Sequence, residues 1–266
     1  MSAFVEASTW SRVASGAWMT TIDESWSQGR GAFGGLIAAS VVRACEAVAG
    51  EVGALRSLHV HMCAPMTAGE ARMFAKVERR GVALSFVSCR VLQRGRVVAF
   101  GGASIGADRS DLLDASTVAM PDMASADVTP VLGEVPLMPP FARQYLEYRP
   151  AWGPPALSSG PVAEGGGWIR LREPSPLDAA MAVALLDAWP PAVYSRVSTP
   201  HVMGTTALAL HVVGDLPPAG LAVDTPWGVT VHSHHVHSGF CDEVNRLWTP
   251  DGRLLAVVRQ VVTLVR

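Results

Sequence analysis

With 266 residues, 49% of them hydrophobic and 17% charged, the chain has ample apolar material for a packed core, which excludes a disordered polypeptide. Its formal charge of −2, with Lys76 the one lysine among 21 basic residues, excludes the electrostatic footprint of a nucleic-acid binder or of a protein held on an anionic membrane. The four cysteines, Cys45, Cys63, Cys89 and Cys241, are scattered without CxxC spacing and read as small apolar residues in a reducing compartment.

The opening MSAFVEASTWSRV has no basic start followed by a long apolar region, so no signal peptide is expected. WMTTIDESW (18–26) predicts a strand, and GAFGGLIAASVVRACEAVAG (31–50) a helix with glycines at both ends. Four strand-like runs follow at 56–64, 71–80, 83–93 and 96–106, alternating or rich in β-branched residues, with a hairpin turn at Arg94-Gly95. From 107 to 140 the chain is crowded with helix and strand breakers and reads as a linker. A strand at 166–173 comes next. A helix over 175–189 follows it, with Ser175 as N-cap and Pro176 in the first turn. Strands are then expected at 205–213, 220–225, 229–240 and 243–265, the last broken by a turn at Pro250 to Gly252. The apolar helical runs, such as AAMAVALL at 179–186, fall well short of the roughly 20 residues of a membrane span. A soluble cytoplasmic protein is expected.

The two halves repeat one plan. LHVH at 58–61 and LALH at 208–211 lie 150 positions apart, and GRVVA at 95–99 and GRLLA at 252–256 lie 157 apart. The difference of seven fits a longer hairpin in the second copy, so an internal duplication is expected. A strand, an apolar helix and a run of antiparallel strands belong to the α+β class. The helix is too apolar to face solvent and is best wrapped by a curved sheet. Two such units side by side would continue each other's sheets and remove an exposed edge from each. The expected organisation is an N-terminal unit over 1–106, a linker over 107–140 and a C-terminal unit over 141–266.

Gln260 stands out among the valines of the last strand. A buried amide costs a few kcal/mol unless its donors and acceptor find partners, so it is either a satisfied structural amide or part of a site. The histidines of VHSHHVH alternate, placing His232 with His234 and His235 with His237 on opposite strand faces. No acidic or cysteine set at metal spacing surrounds them, so no metal is expected. His59 and His61 share one face and read as core or interface residues. GAFGGL lacks GxGxxG spacing, and Ser104 and Ser238 lie in no GxSxG elbow, which argues against dinucleotide binding and against an α/β serine hydrolase. No cofactor is expected.

GRGAFGGLIAAS (29–40), LHVHMCAPM (58–66) and GRLLAVVRQ (252–260) together resemble the bacterial TesB-like acyl-CoA thioesterases, from about Trp18 to Arg266 with the linker excepted. The resemblance implies a tandem (double) hotdog, in which the N-terminal hotdog is a scaffold and the C-terminal one carries an Asp/Thr/Gln group. The matching positions are Asp187 in LLDAWPPAV, Thr205 in TTALALHV with Thr206 next door, and Gln260. The position 157 before Gln260 is Ala103, which implies one working site per chain. Two features depart from the family pattern: Ala207, where a further polar residue is common, and the histidine-rich segment after Gly228.

The implied activity is hydrolysis of acyl-CoA thioesters within fatty acid metabolism. Asp187 would act as general base on a water held by Thr205 and Gln260, with backbone N–H groups at a helix start serving the oxyanion. Each residue also has a plainer reading: a carboxylate at a helix end, where the macrodipole disfavours it, a strand threonine, and a structural amide. Arg30, Arg56 and Arg90 are candidates for the phosphates of CoA. A non-hydrolytic acyl-CoA-binding double hotdog is the alternative from another class. A hotdog enoyl-CoA hydratase would want an Asp/His pair beside a helix start, and neither helix offers one. Acyl-CoA is the expected partner, with no nucleic acid and no membrane, and pairing through sheet edges would make a homodimer.

Overall fold

The computed structural model describes residues 1–109, 113 and 115–265. A short helix, α1 (Ala3–Ser8), and the hairpin of β1 (Ser11–Ala14) and β2 (Ala17–Ile22) lead into a small ribbon, β3 (Ser27–Gln28) with β4 (Gly31–Ala32). The strand expected over 18–26 therefore stops at Ile22. Asp23 caps a 3₁₀ turn over Glu24–Trp26 by accepting from the Ser25 N–H, and this turn replaces the remainder. Helix α2 (Gly34–Ala49) follows, then β5 (Ala54–Met62), β6 (Gly69–Arg80), β7 (Leu84–Gln93) and β8 (Arg96–Gly106). Arg94 and Gly95 both take positive φ, as a two-residue hairpin requires.

The second half opens with α3 (Pro140–Tyr145) and the edge strand β9 (Leu146–Trp152), then β10 (Glu164–Leu171) and α4 (Ala179–Ala188). Strands β11 (Val202–Val212), β12 (Trp227–His232), β13 (Val236–His237), β14 (Phe240–Trp248) and β15 (Leu254–Val265) complete it. Three expectations are corrected. Helix α4 starts four residues late, because Pro174 and Pro176 keep the residues before them extended, and the Asp178 carboxylate caps the Met181 N–H at 2.7 Å. Residues 220–225 form no strand: they lie between Pro218 and Pro226, and β12 takes the ladder position beside β14. The strand expected over 229–240 breaks after His232, so strict alternation does not govern the histidines that follow.

Residues 110–112 and 114 of the expected linker lie outside the described residues. Its later part runs over the second half, where the Ala124 carbonyl accepts from the Trp168 indole at 2.8 Å and the Arg149 guanidinium holds the carbonyls of Ala126 and Thr129.

Twelve strands follow the order β1-β2-β6-β7-β8-β5-β11-β15-β14-β12-β10-β9, with β13 added beside β14. The order reads the same from both ends because the halves are copies joined edge to edge. At the join β5 and β11 run antiparallel, with Leu58 opposite Leu210, His59 opposite Ala209 and Val60 opposite Leu208. Neither copy keeps a free edge there. The duplication also holds in register: Ala103 sits opposite Leu58 in the first copy and Gln260 opposite Leu208 in the second. Each copy also has a bulge at the matching place, between Leu55 and Ser57 and between Thr205 and Ala207.

Both long helices lie on the inner face of the sheet. Every α4 residue except Asp187 is buried, as befits a helix apolar on all sides. The helices run antiparallel: the start of α2 meets the end of α4 at Gly34 and Asp187, while Arg43 pairs with Asp178 at 2.9 Å near the other end. The crossing depends on Gly35, where a Cβ would stand 2.9 Å from the Ala184 Cα and 2.3 Å from the Phe33 ring. In an open helix Gly→Ala gains about 1 kcal/mol. Here the α4 backbone cannot retreat, and overpacking of about 1–3 kcal/mol outweighs that gain. Gly35→Ala is expected to lower the urea midpoint, and an unchanged or raised midpoint would contradict this packing. Among the described residues no helix is long and apolar enough to cross a membrane.

Candidate active site

Asp187 lies in the last turn of α4, partly open to solvent although protein surrounds it on most sides. The carbonyls that flank it are tied down: Asn245 donates to Leu186 O at 2.9 Å and the Tyr148 hydroxyl to Ala188 O at 3.0 Å. These bonds satisfy acceptors that a helix C-terminus leaves without partners. The carboxylate faces the start of α2. A Cβ on Gly34 would lie 2.9 Å from Asp187 Oδ2, so glycine lets the helix start come this close. The C-terminal dipole of α4 disfavours a carboxylate, and the N-terminal dipole of α2 opposite offsets it. Burial pushes the Asp187 carboxyl up to about 6, while the Thr205 hydroxyl and the Gly35 N–H pull the other way.

Thr205 reaches this carboxylate because of the bulge in β11. Thr205 is opposite Val262 and Ala207 is opposite Val261, so Thr206 is the extra residue. Without it, alternation from inward-facing Leu208 would aim Thr206 inward and Thr205 out. With it, Thr205 Oγ1 stands 3.3 Å from Asp187 Oδ1 and 3.1 Å from Gln260 Oε1. Thr206 instead donates to the Val261 carbonyl at 3.1 Å on the outer side. Of the two threonines, the structure brings Thr205 to Asp187 and Gln260. Its single hydroxyl hydrogen serves one of the two acceptors at a time.

Gln260 is 5% exposed. Its Nε2 donates to Glu243 Oε1 at 2.7 Å, and its Oε1 faces Thr205. Glu243, 1% exposed on β14 and directly opposite Gln260, also accepts the Ala192 N–H on Oε2 at 2.6 Å. A chain of contacts thus runs from Ala192 through Glu243, Gln260 and Thr205 to Asp187. Burial pushes the Glu243 carboxyl up to about 7, with its hydrogen bonds lowering it and the nearby Asp187 raising it.

Sequence reasoning missed Glu243, which stands where a strand was expected to begin and where a charged residue is ordinary. The duplication carried the signal. Across three adjacent strands the second copy aligns Glu243, Gln260 and Leu208, and the first aligns Val87, Ala103 and Leu58. At the bulge Leu55 takes the place of Thr205. Every polar member of the cluster on these strands has an apolar counterpart in the other copy.

The remaining candidates lie apart from this cluster. Arg56 is bound to the Gly106 carbonyl at 3.1 Å and paired with Asp108. Arg90 sits exposed opposite Phe100 in the β7–β8 ladder. Arg30 and Arg94 line an open groove of about 580 Å³ with Glu24, Ser27 and Thr67, and Arg30 is four residues from Gly34. His232 and His234 meet with ring centroids 4.2 Å apart and planes tilted by 58°, each near one carboxylate, Glu164 at 3.5 Å and Asp242 at 3.7 Å. Among the described residues no three His, Cys, Asp or Glu side chains are grouped to hold a metal ion.

Solved structures share this architecture. A hot dog fold protein of unknown function from Alicyclobacillus acidocaldarius superposes with a TM-score of 0.90 at 24% identity, covering 100% of this chain and 99% of its own. The acyl-CoA thioesterase II TesB2 from Mycobacterium marinum does so at 0.77 and 15%, covering 99% and 98%. A tesB protein from Mycobacterium avium subs paratuberculosis gives 0.79 and 13%, also covering 99% and 98%. At these identities the likeness is one of fold, a tandem hotdog. No curated protein matches the chain in sequence. Family models match in both copies, the acyl-CoA thioesterase N-terminal domain over residues 22–106 and the acyl-CoA thioesterase C-terminal domain over 115–264. With the second match alone covering more than half of its length, the chain belongs to the TesB-like acyl-CoA thioesterase family.

Proposed function

We propose that the chain hydrolyses acyl-CoA thioesters with a water activated at Asp187, Thr205 and Gln260. The observation that carries this reading is the position of Thr205 Oγ1, 3.3 Å from Asp187 and 3.1 Å from Gln260, which brings three polar groups together at one point. A thioester carbonyl is already electrophilic, so the main needs are an oriented water and a stabilised oxyanion. Asp187 and Gln260 Oε1 accept the two hydrogens of the water and leave a lone pair directed at the acyl carbon. Thr205 donates its hydrogen within the cluster and keeps the two acceptors at a fixed spacing.

As the C–O bond forms, Asp187 takes the proton and the carbonyl oxygen becomes anionic. At the start of α2 the Leu36 N–H goes to the Phe33 carbonyl at 3.1 Å and the Gly35 N–H to the Asp187 carboxylate, so the Gly34 N–H beside them is the donor that suits that oxygen. Collapse of the tetrahedral intermediate breaks the C–S bond, and the CoA thiolate receives the proton from Asp187. The groove of Arg30 and Arg94 is the place for the CoA phosphates, since two guanidinium groups there lead toward the start of α2. The C-terminal copy works, the N-terminal copy is a scaffold, and residues 107–140 join them.

Free-thiol release from a panel of acyl-CoAs tests the reading, and the pH profile tests the base. Asp187 must be ionised, so kcat/KM is expected to rise with pH through about 6. A flat profile between pH 5 and 8 would remove Asp187 from the base role. A chain that binds acyl-CoA and releases no thiol would instead be a non-hydrolytic binding protein.

A further inference from the structure

We propose that Glu243 is the positioning residue that fixes the orientation of the Gln260 amide, so that its oxygen rather than its nitrogen faces the attacking water. The inference rests on the hydrolytic reading above and adds a residue to it. An amide has two faces of similar shape and opposite hydrogen-bonding sense, and for Gln260 only one orientation accepts a hydrogen from water. Thr205 cannot impose that choice, because a hydroxyl donates or accepts equally well. Glu243 can. Its two oxygens accept from the Ala192 N–H at 2.6 Å and Gln260 Nε2 at 2.7 Å, and the Asn245 side chain also lies against the carboxylate. The backbone N–H cannot be reversed, so Oε2 is committed to Ala192. An ionised Oε1 then accepts only the nitrogen end of Gln260, which turns Oε1 of Gln260 toward Thr205 at 3.1 Å.

Two observations argue that this carboxylate serves the site rather than the fold. Glu243 is 1% exposed, and its partners at hydrogen-bond distance among the described residues are uncharged, so keeping a carboxylate there is costly. The same sheet position in the first copy is Val87, 3% exposed and opposite Ala103, so the architecture closes with a valine there. The carboxylate appears only in the copy where its cross-strand partner is a glutamine.

Two substitutions test the assignment. In Glu243→Gln an amide offers one acceptor oxygen to two donors. When that oxygen takes Ala192 N–H, its NH₂ faces Gln260 and drives the Gln260 amide to the reversed orientation. Glu243→Val installs the residue of the first copy and leaves the amide free to rotate. For both, kcat is expected to fall by about 10- to 100-fold, the range of lost supporting contacts, while KM stays within about twofold. In a Gln260→Leu background neither substitution should lower kcat further. In the wild-type protein the Gln260 side-chain amide protons, assigned by their loss in Gln260→Leu, should resonate downfield in NMR, and both substitutions should move them upfield. Wild-type kcat in folded Glu243→Val and Glu243→Gln, a full additional loss in the Gln260→Leu background, or an amide signal unmoved by either substitution would each overturn the assignment. A wild-type chain that releases no thiol from any acyl-CoA would defeat the hydrolytic reading instead, and the amide signal would still decide the contact.

Discussion

Asp187→Asn is expected to lower kcat for acyl-CoA hydrolysis by at least about 100-fold, the lower bound for loss of a general base. The substitution is nearly isosteric, and the asparagine oxygen can still accept from Thr205 at the place of Oδ1, 3.3 Å away. What it cannot do is take a proton from water or return one to the departing thiolate. KM should change little, because Asp187 stands at the end of α4 facing the helix start of α2 and not in the Arg30 and Arg94 groove. Stopped or steady-state thiol release checks both constants. A full-rate Asp187→Asn enzyme would show that the proton goes elsewhere. A wild type and a variant that bind acyl-CoA equally, with no thiol released by either, would place the chain among binding proteins.

The second large effect is on stability. Burial raises the Glu243 carboxyl from an ordinary 4.5 to about 7. A raised carboxyl binds its proton more tightly in the folded protein than in the unfolded chain, so it favours folding at low pH. That contribution is lost as pH rises from about 4.5 to about 7 and is absent above. At 1.36 kcal/mol per unit the difference is about 3 kcal/mol. The titratable groups that face Glu243 are Asp187, which acts in the same direction, and Cys241, whose thiol burial pushes up to about 11 and which stays neutral over this range. Urea unfolding at pH 5 and pH 8 should therefore show Glu243→Val gaining on the wild type by up to about 3 kcal/mol between the two pH values. The same change at both pH values would mean that Glu243 carries no such penalty. The second copy thus holds a buried carboxylate, Glu243, that costs stability at neutral pH, at a sheet position where the first copy has Val87.

Much of the fold was legible because it follows from periodicity. The apolar helices α2 and α4, the hairpin at Arg94-Gly95 and the duplication all show in the chain as simple repeats. Gln260 was legible as a polar residue out of pattern, and Asp187 and Thr205 as matches to a family. What stayed hidden depended on partners. The choice between Thr205 and Thr206 is made by one extra residue in β11 relative to β15, which alternation within a single strand does not reveal. Glu243 looks like an ordinary charged residue until β15 and the Ala192 segment close over it. Residues 220–225 resembled a strand by composition, yet the ladder beside β14 belongs to β12. Helix α3 and β9 were missed because they follow directly from a stretch dominated by breakers.

In the proposed reaction water, positioned by Asp187, Thr205 and Gln260, attacks the acyl carbon directly. Single-turnover hydrolysis of an acyl-CoA in ¹⁸O-labelled water tests it most directly, with mass spectrometry of both the released acid and the Asp187 peptide. Direct attack predicts one ¹⁸O in the acid and none in Asp187. Label in Asp187, with unlabelled oxygen delivered to the acid, would mean that the carboxylate itself attacks and is later regenerated, and the water-activation account would be wrong.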